Sequence, residues 1–289
     1  MALDYDMLMG LEPMVTRQVL TTRDTILYAL GVGVAHGAAT DPEALRFVYE
    51  DGLEALPTMA VVLGYPGFWL KEPRYKLDWK RVLAGDQSVR LYKPLPCAGD
   101  LTGTTTIDAI YDKGPEKGAV LYSTRRITDT QSGELIATVT SSAFLRGDGG
   151  FGGSSDGAPK PHALPDHRAP DEVVEFAIAP EQALIYRLSG DYNPLHADPV
   201  VARAAGFPNP ILHGLCTYGF AGRAVLEALT RGEPARLKRF DVRYSSPVFP
   251  GETLRVEIWR EESGRASLRA RVVERDLVVL KNGLVEYDA

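Results

Sequence analysis

The sequence holds only two cysteines, Cys97 and Cys216, in 289 residues. Two thiols make neither a disulfide framework nor a zinc knuckle, so the chain is expected to be cytoplasmic and reduced. Runs of lysine or arginine are also missing. With 32 basic against 38 acidic side chains the formal charge is −6, which argues against a nucleic-acid groove but leaves room for a local basic patch facing a phosphorylated ligand. Long apolar runs are absent. The most apolar window, "MAVVLGYPGFWL" (Met59–Leu70), is broken by Pro66 and is too short to cross a bilayer. The start, "MALDYDMLMG", lacks the basic region and apolar stretch of a signal peptide, and the end, "EYDA", carries no lipidation or peroxisomal signal. No membrane partner and no nucleic-acid partner are therefore expected. The rest of the composition, 45% hydrophobic and 24% charged, is ordinary for a globular protein.

Glycine, proline and serine dominate "GDGGFGGSSDGAPKPHALPDHRAP" (Gly147–Pro170), which has no apolar period and reads as a linker. It divides the chain into residues 1–146 and 171–289, and the two parts resemble each other weakly. The first has "LYKPLPCAGDLTGTTTIDAIYD" (Leu91–Asp112) and the second "VRYSSPVFPGETLRVEIWRE" (Val242–Glu261). Each runs from an aromatic through Pro, Gly and an acid into an alternating strand. Two more strand-like segments follow in each: "GAVLYSTRRI" and "ELIATVTSSAFL", then "RASLRARVVE" and "LVVLKNGLVEY". The short connections "DKGPEKG", "DTQSG" and "EESG" suit antiparallel hairpins. A duplicated α+β unit is predicted, each copy an antiparallel meander after a helical region. The helices differ. "GLCTYGFAGRAVLEALT" (Gly214–Thr230) is apolar around most of its circumference, as a helix buried under a curved sheet should be. Its counterpart in the first half is taken to be "DTILYALGVGV", shorter and ending near Gly31 and Gly33.

Several motifs mislead. "GSSDG" (Gly153–Gly157) matches a nucleophile elbow but lies in the linker rather than between a strand and a helix. "GVGVAHG" has the wrong glycine spacing for a dinucleotide fingerprint and no strand before it. "DYNPLHADP" opens like a calcium loop, yet its sixth position is His196 where glycine is needed. Trp69, Trp79 and Trp259 are read as core or interface residues, and His36, His162 and His167 as structural or exposed.

Chemistry concentrates in "YRLSGDYNPLH" (Tyr186–His196), which puts Asp191, Asn193 and His196 on one turn. The plain reading is an Asx-turn in which Asp191 and Asn193 bond their own backbone and Pro194 stiffens it. The functional reading needs an acid and an imidazole facing one reactant, with histidine supplying a base near neutral pH. A metal set of Asp191, His196, Asp198 and His213 is also conceivable, though its spacing matches no established ligand motif. Downstream, "GFPNPILHGLCTYG" (Gly206–Gly219) places His213 and Gly214 where the long helix begins. A helix start exposes backbone N–H donors and partial positive charge, and Gly214 offers no side chain to block approach. That equipment suits an oxyanion; a glycine merely tolerated at a helix start is the alternative.

The stretch "YRLSGDYNPLHADPVVARAAGFPNPILHGLCTYG" resembles the signature of the R-specific 2-enoyl-CoA hydratases, the MaoC-like dehydratase group. The similarity extends through "ALPTMAVVLGYP", "RLYKPLP", "GGFGG" and "SSPVFPGETL", nearly the whole chain. It implies a double hot-dog fold, with an acyl-binding N-terminal repeat (1–146) and a catalytic C-terminal repeat (171–289). It also implies reversible hydration of trans-2-enoyl-CoA without a cofactor, coenzyme A being part of the substrate, by a homodimer. Carried over by motif, Asp191 and His196 become the catalytic pair, Asn193 orients water or substrate, and Gly214 supplies the oxyanion amide. Substrate contacts fall on Lys113, Tyr244 and the segment "VLAGDQ" (Val82–Gln87). In that segment Gly85 and Gln87 match the family, while Ala84 and Asp86 replace a histidine and a glutamate. A hot-dog thioesterase and a non-catalytic acyl-CoA binding partner are the competing readings.

Overall fold

The computed structural model describes residues 3–165 and 167–289; Met1, Ala2 and, within the linker, Asp166 lie outside it. The first half contributes α1 (Tyr5–Met9), β1 (Met14–Leu20), α2 (Thr22–Gly31), α3 (Pro42–Leu45), β2 (Val82–Leu91), β3 (Gly99–Asp112), β4 (Ala119–Asp129) and β5 (Leu135–Leu145). The second contributes β6 (Glu172–Ala177), α4 (Gln182–Tyr186), α5 (Pro199–Ala204), α6 (Gly214–Leu229), β7 (Leu237–Tyr244), β8 (Thr253–Glu262), β9 (Arg265–Val272) and β10 (Leu277–Tyr287). Among the described residues the ten strands join one antiparallel sheet in the order β1-β3-β4-β5-β2-β7-β10-β9-β8-β6. Read outward from the centre, 2-5-4-3-1 on one side mirrors 7-10-9-8-6 on the other. The strand order thus repeats the internal similarity seen in the sequence.

The two halves meet where β2 pairs with β7. Gln87 faces Val242 and Val89 faces Phe240 on the buried face, while Asp86, Ser88 and Arg90 face Arg243, Asp241 and Arg239 on the other. This is the period-2 alternation of a half-buried sheet. The outer row is an ionic ladder. Arg243 clasps Asp86 at 2.6 and 3.1 Å, Ser88 Oγ donates to Asp241 at 2.5 Å, and Arg239 pairs with Asp241 at 2.7 Å.

Helix α6 is the predicted central helix, ending one residue early at Leu229. It packs on β6, β7, β8 and β10 and, from the first half, on the 3-10 turn Pro57–Val61. The first-half counterpart differs from the one expected. Helix α2 packs on α4, and each follows the first strand of its half. The first-half segment that packs on the central strand β2 and on α6, ahead of β2 in the chain, is Pro57–Val61, a 3-10 turn where the second half has its long helix. Proline at its first position suits such a turn, and nothing in the local period marked it as equivalent to α6. The edge strands β1 and β6 were also not legible as strands. They bury little, with a half-buried and exposed alternation in β6, so their apolar period is weak.

The linker is tied down by polar contacts. The buried Asp112 carboxylate accepts from the N–H groups of Gly114, Gly150 and Gly152, and Tyr111 donates to the Gly157 carbonyl. Further on, the His162 ring meets Glu261 at 2.8 Å and Ser267 at 2.6 Å.

Burying α6 on all sides requires missing side chains. A Cβ on Gly219 would stand 2.4 Å from Val32 Cγ1, and one on Gly222 would stand 2.3 Å from Thr58 Cγ2. Alanine normally stabilises a helix interior over glycine by roughly 0.5–1 kcal/mol, whereas overpacking a core costs about 1–3 kcal/mol. Gly222→Ala is therefore expected to lower the urea midpoint, and Thr58→Ser in the same chain to recover much of the loss. A Gly222→Ala protein more stable than wild type would contradict this packing.

Candidate active site

Helix α4 runs into a 3-10 turn, Arg187–Ser189, and stops at Gly190, whose φ of +116° suits glycine. Gln182, buried on α4, donates to the carbonyls of Leu30 and Gly31 at 2.9 and 2.6 Å, fixing the loop's stem to the end of α2. Asp191 Oδ1 then accepts from the Asn193 N–H at 3.1 Å, and Asn193 Oδ1 from the Leu195 N–H at 3.1 Å. Pro194 opens the 3-10 turn Pro194–His196. The Asx-turn is therefore real, and it is what turns His196 inward. Asn193 itself is exposed, with its carbonyl oxygen engaged as the turn's cap.

His196 is 8% exposed and His213 1%. The Asp191 carboxylate and both imidazoles offer ligating atoms within 4.8 Å of one another. The rings stack with centroids 3.7 Å apart and planes 28° from parallel. His196 Nδ1 lies 2.8 Å from the Ile211 carbonyl, which can only accept, so Nδ1 carries the proton. In the neutral ring this leaves the Nε2 lone pair as a base. His213 Nε2 likewise donates to the Asp191 backbone carbonyl at 3.2 Å, and its buried Nδ1 has no partner. Burial pushes His196 below the ordinary histidine value, against the opposing pull of the Ile211 carbonyl and the Asp191 carboxylate. Burial, then the neighbouring His196, pushes His213 down to about 4. Both rings are neutral at pH 7.

Behind the histidines α6 begins. His213 is its N-cap residue but makes no side-chain cap, and the first intrahelical acceptor, the His213 carbonyl, takes the N–H groups of Cys216 and Thr217. The N–H groups of Gly214 and Leu215 precede that first turn and have no partner within the helix. The Tyr244 ring covers Gly214: a Cβ there would lie 3.2 Å from Tyr244 Cε1. The Tyr244 hydroxyl is buried without a partner, as is that of Tyr186.

The structure thus brings Asp191, His196, Gly214 and Tyr244 together. The other predicted contacts lie on the first-half sheet. Ala84 is exposed on β2, and Gly85 backs onto Ser142, whose Oγ would stand 2.4 Å from an added Cβ. Asp86, one of the departures from the family pattern, is committed to Arg243, Tyr122 and Ser142. Lys113 follows the end of β3, donates to the Ser155 carbonyl at 2.5 Å and lies over Tyr111. It shares an end of the sheet with Ala84, because Asp112 pairs with Ala119, Ala119 with Leu145 and Leu145 with Val82.

The sequence reading missed His213 as a partner of the pair; its position beside Gly214 was the available signal. It also missed Tyr186, which opens the quoted motif and lies 5.0 Å from the His213 ring. The metal set does not assemble as expected, because Asp198 caps α5 through the Val200 N–H at 2.7 Å. The remaining three are poorly disposed for an ion. Imidazole lone pairs lie in the ring plane, and two rings stacked nearly parallel cannot both aim one at a common centre.

Two family models match the chain: a MaoC like domain over residues 163–282 and an MFE-2 hydratase 2 N-terminal domain over residues 19–147. The 3-hydroxyacyl-thioester dehydratase Y of Mycobacterium tuberculosis is 45% identical, covering 93% of each chain. The peroxisomal enoyl-CoA hydratase 2 of Arabidopsis thaliana is 40% identical, covering 95% of this chain and 93% of its own. A crystal structure of a MaoC-like dehydratase from Phytophthora capsici superposes with a TM-score of 0.87 at 34% identity, covering 98% and 97%. At 16% identity, a Mycobacterium tuberculosis protein described as a double hot-dog fold matches with a TM-score of 0.57, over 96% of this chain and 95% of its own. The fold is the double hot dog. The chain belongs to the MaoC-like dehydratase family, in the form that carries a hydratase 2 N-terminal domain, and so to the hydro-lyases.

A histidine that must be neutral to act loses function as pH falls through its pKa. Since burial has lowered that of His196 from 6.5, the acid limb of kcat/KM is expected below pH 6.5. A limb centred at or above 6.5 in the free enzyme would contradict the buried, neutral ring.

Proposed function

We propose that the chain is a (3R)-specific enoyl-CoA hydratase that reversibly adds water across trans-2-enoyl-CoA. The observation that carries this is the meeting of the Asp191 carboxylate and the His196 imidazole, within 4.8 Å, next to the start of α6. Family membership and the names of the relatives support it.

The step needs water deprotonated as its oxygen bonds C3, a proton delivered to C2, and charge on the thioester oxygen stabilised meanwhile. A water held between His196 Nε2 and Asp191 meets the first two needs. Its hydroxyl goes to C3, its proton passes through the pair to C2, and the pair ends as it began. Such proton transfer contributes roughly 10²–10⁴-fold. The Gly214 N–H receives the thioester oxygen, and one such donor contributes about 3 kcal/mol. Coenzyme A arrives with the substrate and no resident cofactor takes part. Among the described residues no helix is long and apolar enough to cross a membrane. The proposal keeps the cytoplasm as compartment and a homodimer as assembly, the two free cysteines being in line with a reducing environment. In it the first repeat holds the acyl chain.

Following enoyl-thioester absorbance beside thiol release tests the reaction class. Wild type is expected to consume crotonyl-CoA without freeing thiol, and Asp191→Asn and His196→Ala each to lose at least about 10²-fold in turnover while still folded. Stoichiometric thiol release would identify a thioesterase, and near-normal turnover in either variant would remove that residue from the mechanism.

A further inference from the structure

The interior assigned to the acyl chain contains a cation. Arg125 lies in mid-strand on β4 and is 6% exposed. Its cross-strand neighbours are Thr105 on β3 and the core residue Val139 on β5, so its side chain enters the interior on the face that also carries Ile127. There Nη2 donates to the carbonyls of Val61 at 2.6 Å and Ala60 at 3.4 Å. The guanidinium carbon stands 5.3 Å from the centre of the Tyr65 ring. Among the described residues no carboxylate pairs with it. Its Nε–H is buried without a partner, and so is the hydroxyl of Thr105, itself 4% exposed.

A buried cation without an anion is an expensive arrangement, because carbonyl dipoles and an aromatic face replace only part of the lost hydration. Burial pulls the Arg125 guanidinium down to about 10, so it still carries its charge at neutral pH. Two orphaned donors side by side on one sheet face are what a carboxylate accepts, and the planar guanidinium suits it better than any neutral tail. Tyr65 connects this place to the chemistry. It is 40% exposed and touches Arg125, and after desolvation the next cause raising its hydroxyl pKa is the negative charge of Asp191, so it lies within electrostatic reach of that loop.

We propose that Arg125 and Thr105 form a tail site for acyl-CoA substrates whose acyl chain ends in a carboxylate. The proposal rests on the hydratase reading for its substrate class and narrows that class to chains with a terminal anion. A methyl-ended chain would leave both donors and the cation unanswered.

The test is calorimetric titration with saturated pairs of equal length: hexanoyl-CoA against adipyl-CoA, octanoyl-CoA against suberyl-CoA, and decanoyl-CoA against sebacyl-CoA. At the length that reaches the site, wild type is expected to bind the carboxylate-ended member about tenfold tighter or more, as for a charged hydrogen bond. Arg125→Met should abolish that ratio without weakening the methyl-ended member, and Arg125→Lys should keep part of it. Tighter binding of the methyl-ended member at every length would overturn the proposal. So would a ratio that survives Arg125→Met, which would leave Arg125 only a cap on the Pro57–Val61 turn. Should Arg125→Met not fold, Thr105→Val reads the same ratio: a reduced ratio supports the site and an unchanged one overturns it. Saturated thioesters cannot be hydrated, so binding is independent of catalysis. Crotonyl-CoA hydration measured alongside tells failure of the hydratase reading from failure of the tail site.

Discussion

Everything at this site depends on how α6 is buried. A helix enclosed by strands of its own half and by a turn of the other must lose side chains where the two halves touch, and Gly219 and Gly222 supply that loss against Val32 and Thr58. The reward is position. With its body immobilised, the helix presents its first N–H groups at a fixed point, and the His213 carbonyl closes the first turn behind Gly214. The same residue stacks its ring on His196 and bonds the backbone of Asp191. One residue thus links the start of α6 at Gly214, the imidazole and the acid, and burial keeps both rings neutral.

The duplication explains why only one half does this. The paired halves share strand order and meet through β2 and β7, yet the first half has replaced the long helix by the 3-10 turn Pro57–Val61. A five-residue turn stands where the second half has the 16 residues of α6, and in the proposal the space beside it is where the tail lies. Arg125 gives that space a polarity that a simple hydrocarbon channel would not need.

Much of this was legible in the sequence, and what was not has physical reasons. The meander strands β3, β4, β5, β8, β9 and β10 announced themselves by alternation and tight turns, and α6 by its all-round apolarity. Edge strands β1 and β6 did not, because a strand that buries little has little period to show. The equivalence of Pro57–Val61 with α6 was hidden because topology carries it, not composition. The structure brings together Asp191, His196 and Gly214, which the motif had singled out, but stacking across a gap of sixteen positions is a tertiary fact, so His213 was seen only at the helix start and in a metal set. The Asx-turn and the functional reading of Asp191 with His196 looked like rivals in the sequence, whereas the turn made by Asp191 and Asn193 is what brings His196 inward beside Asp191. Asp86, where the resemblance led to a glutamate being expected, serves as an ion-pair partner for Arg243 at the seam between halves.

The central claim is that one water, held between Asp191 and His196, supplies both the hydroxyl and the C2 hydrogen. Both must then arrive on the same face of the double bond, while Gly214 fixes the thioester carbonyl and so the face exposed. Hydration of a trans-2-enoyl-CoA in heavy water, with the C2 deuterium located by NMR and the product assayed with (3R)- and (3S)-specific dehydrogenases, tests this most directly. The account predicts syn addition and a single (3R) epimer. Anti addition would contradict the shared water, and a racemic product would contradict the fixed carbonyl.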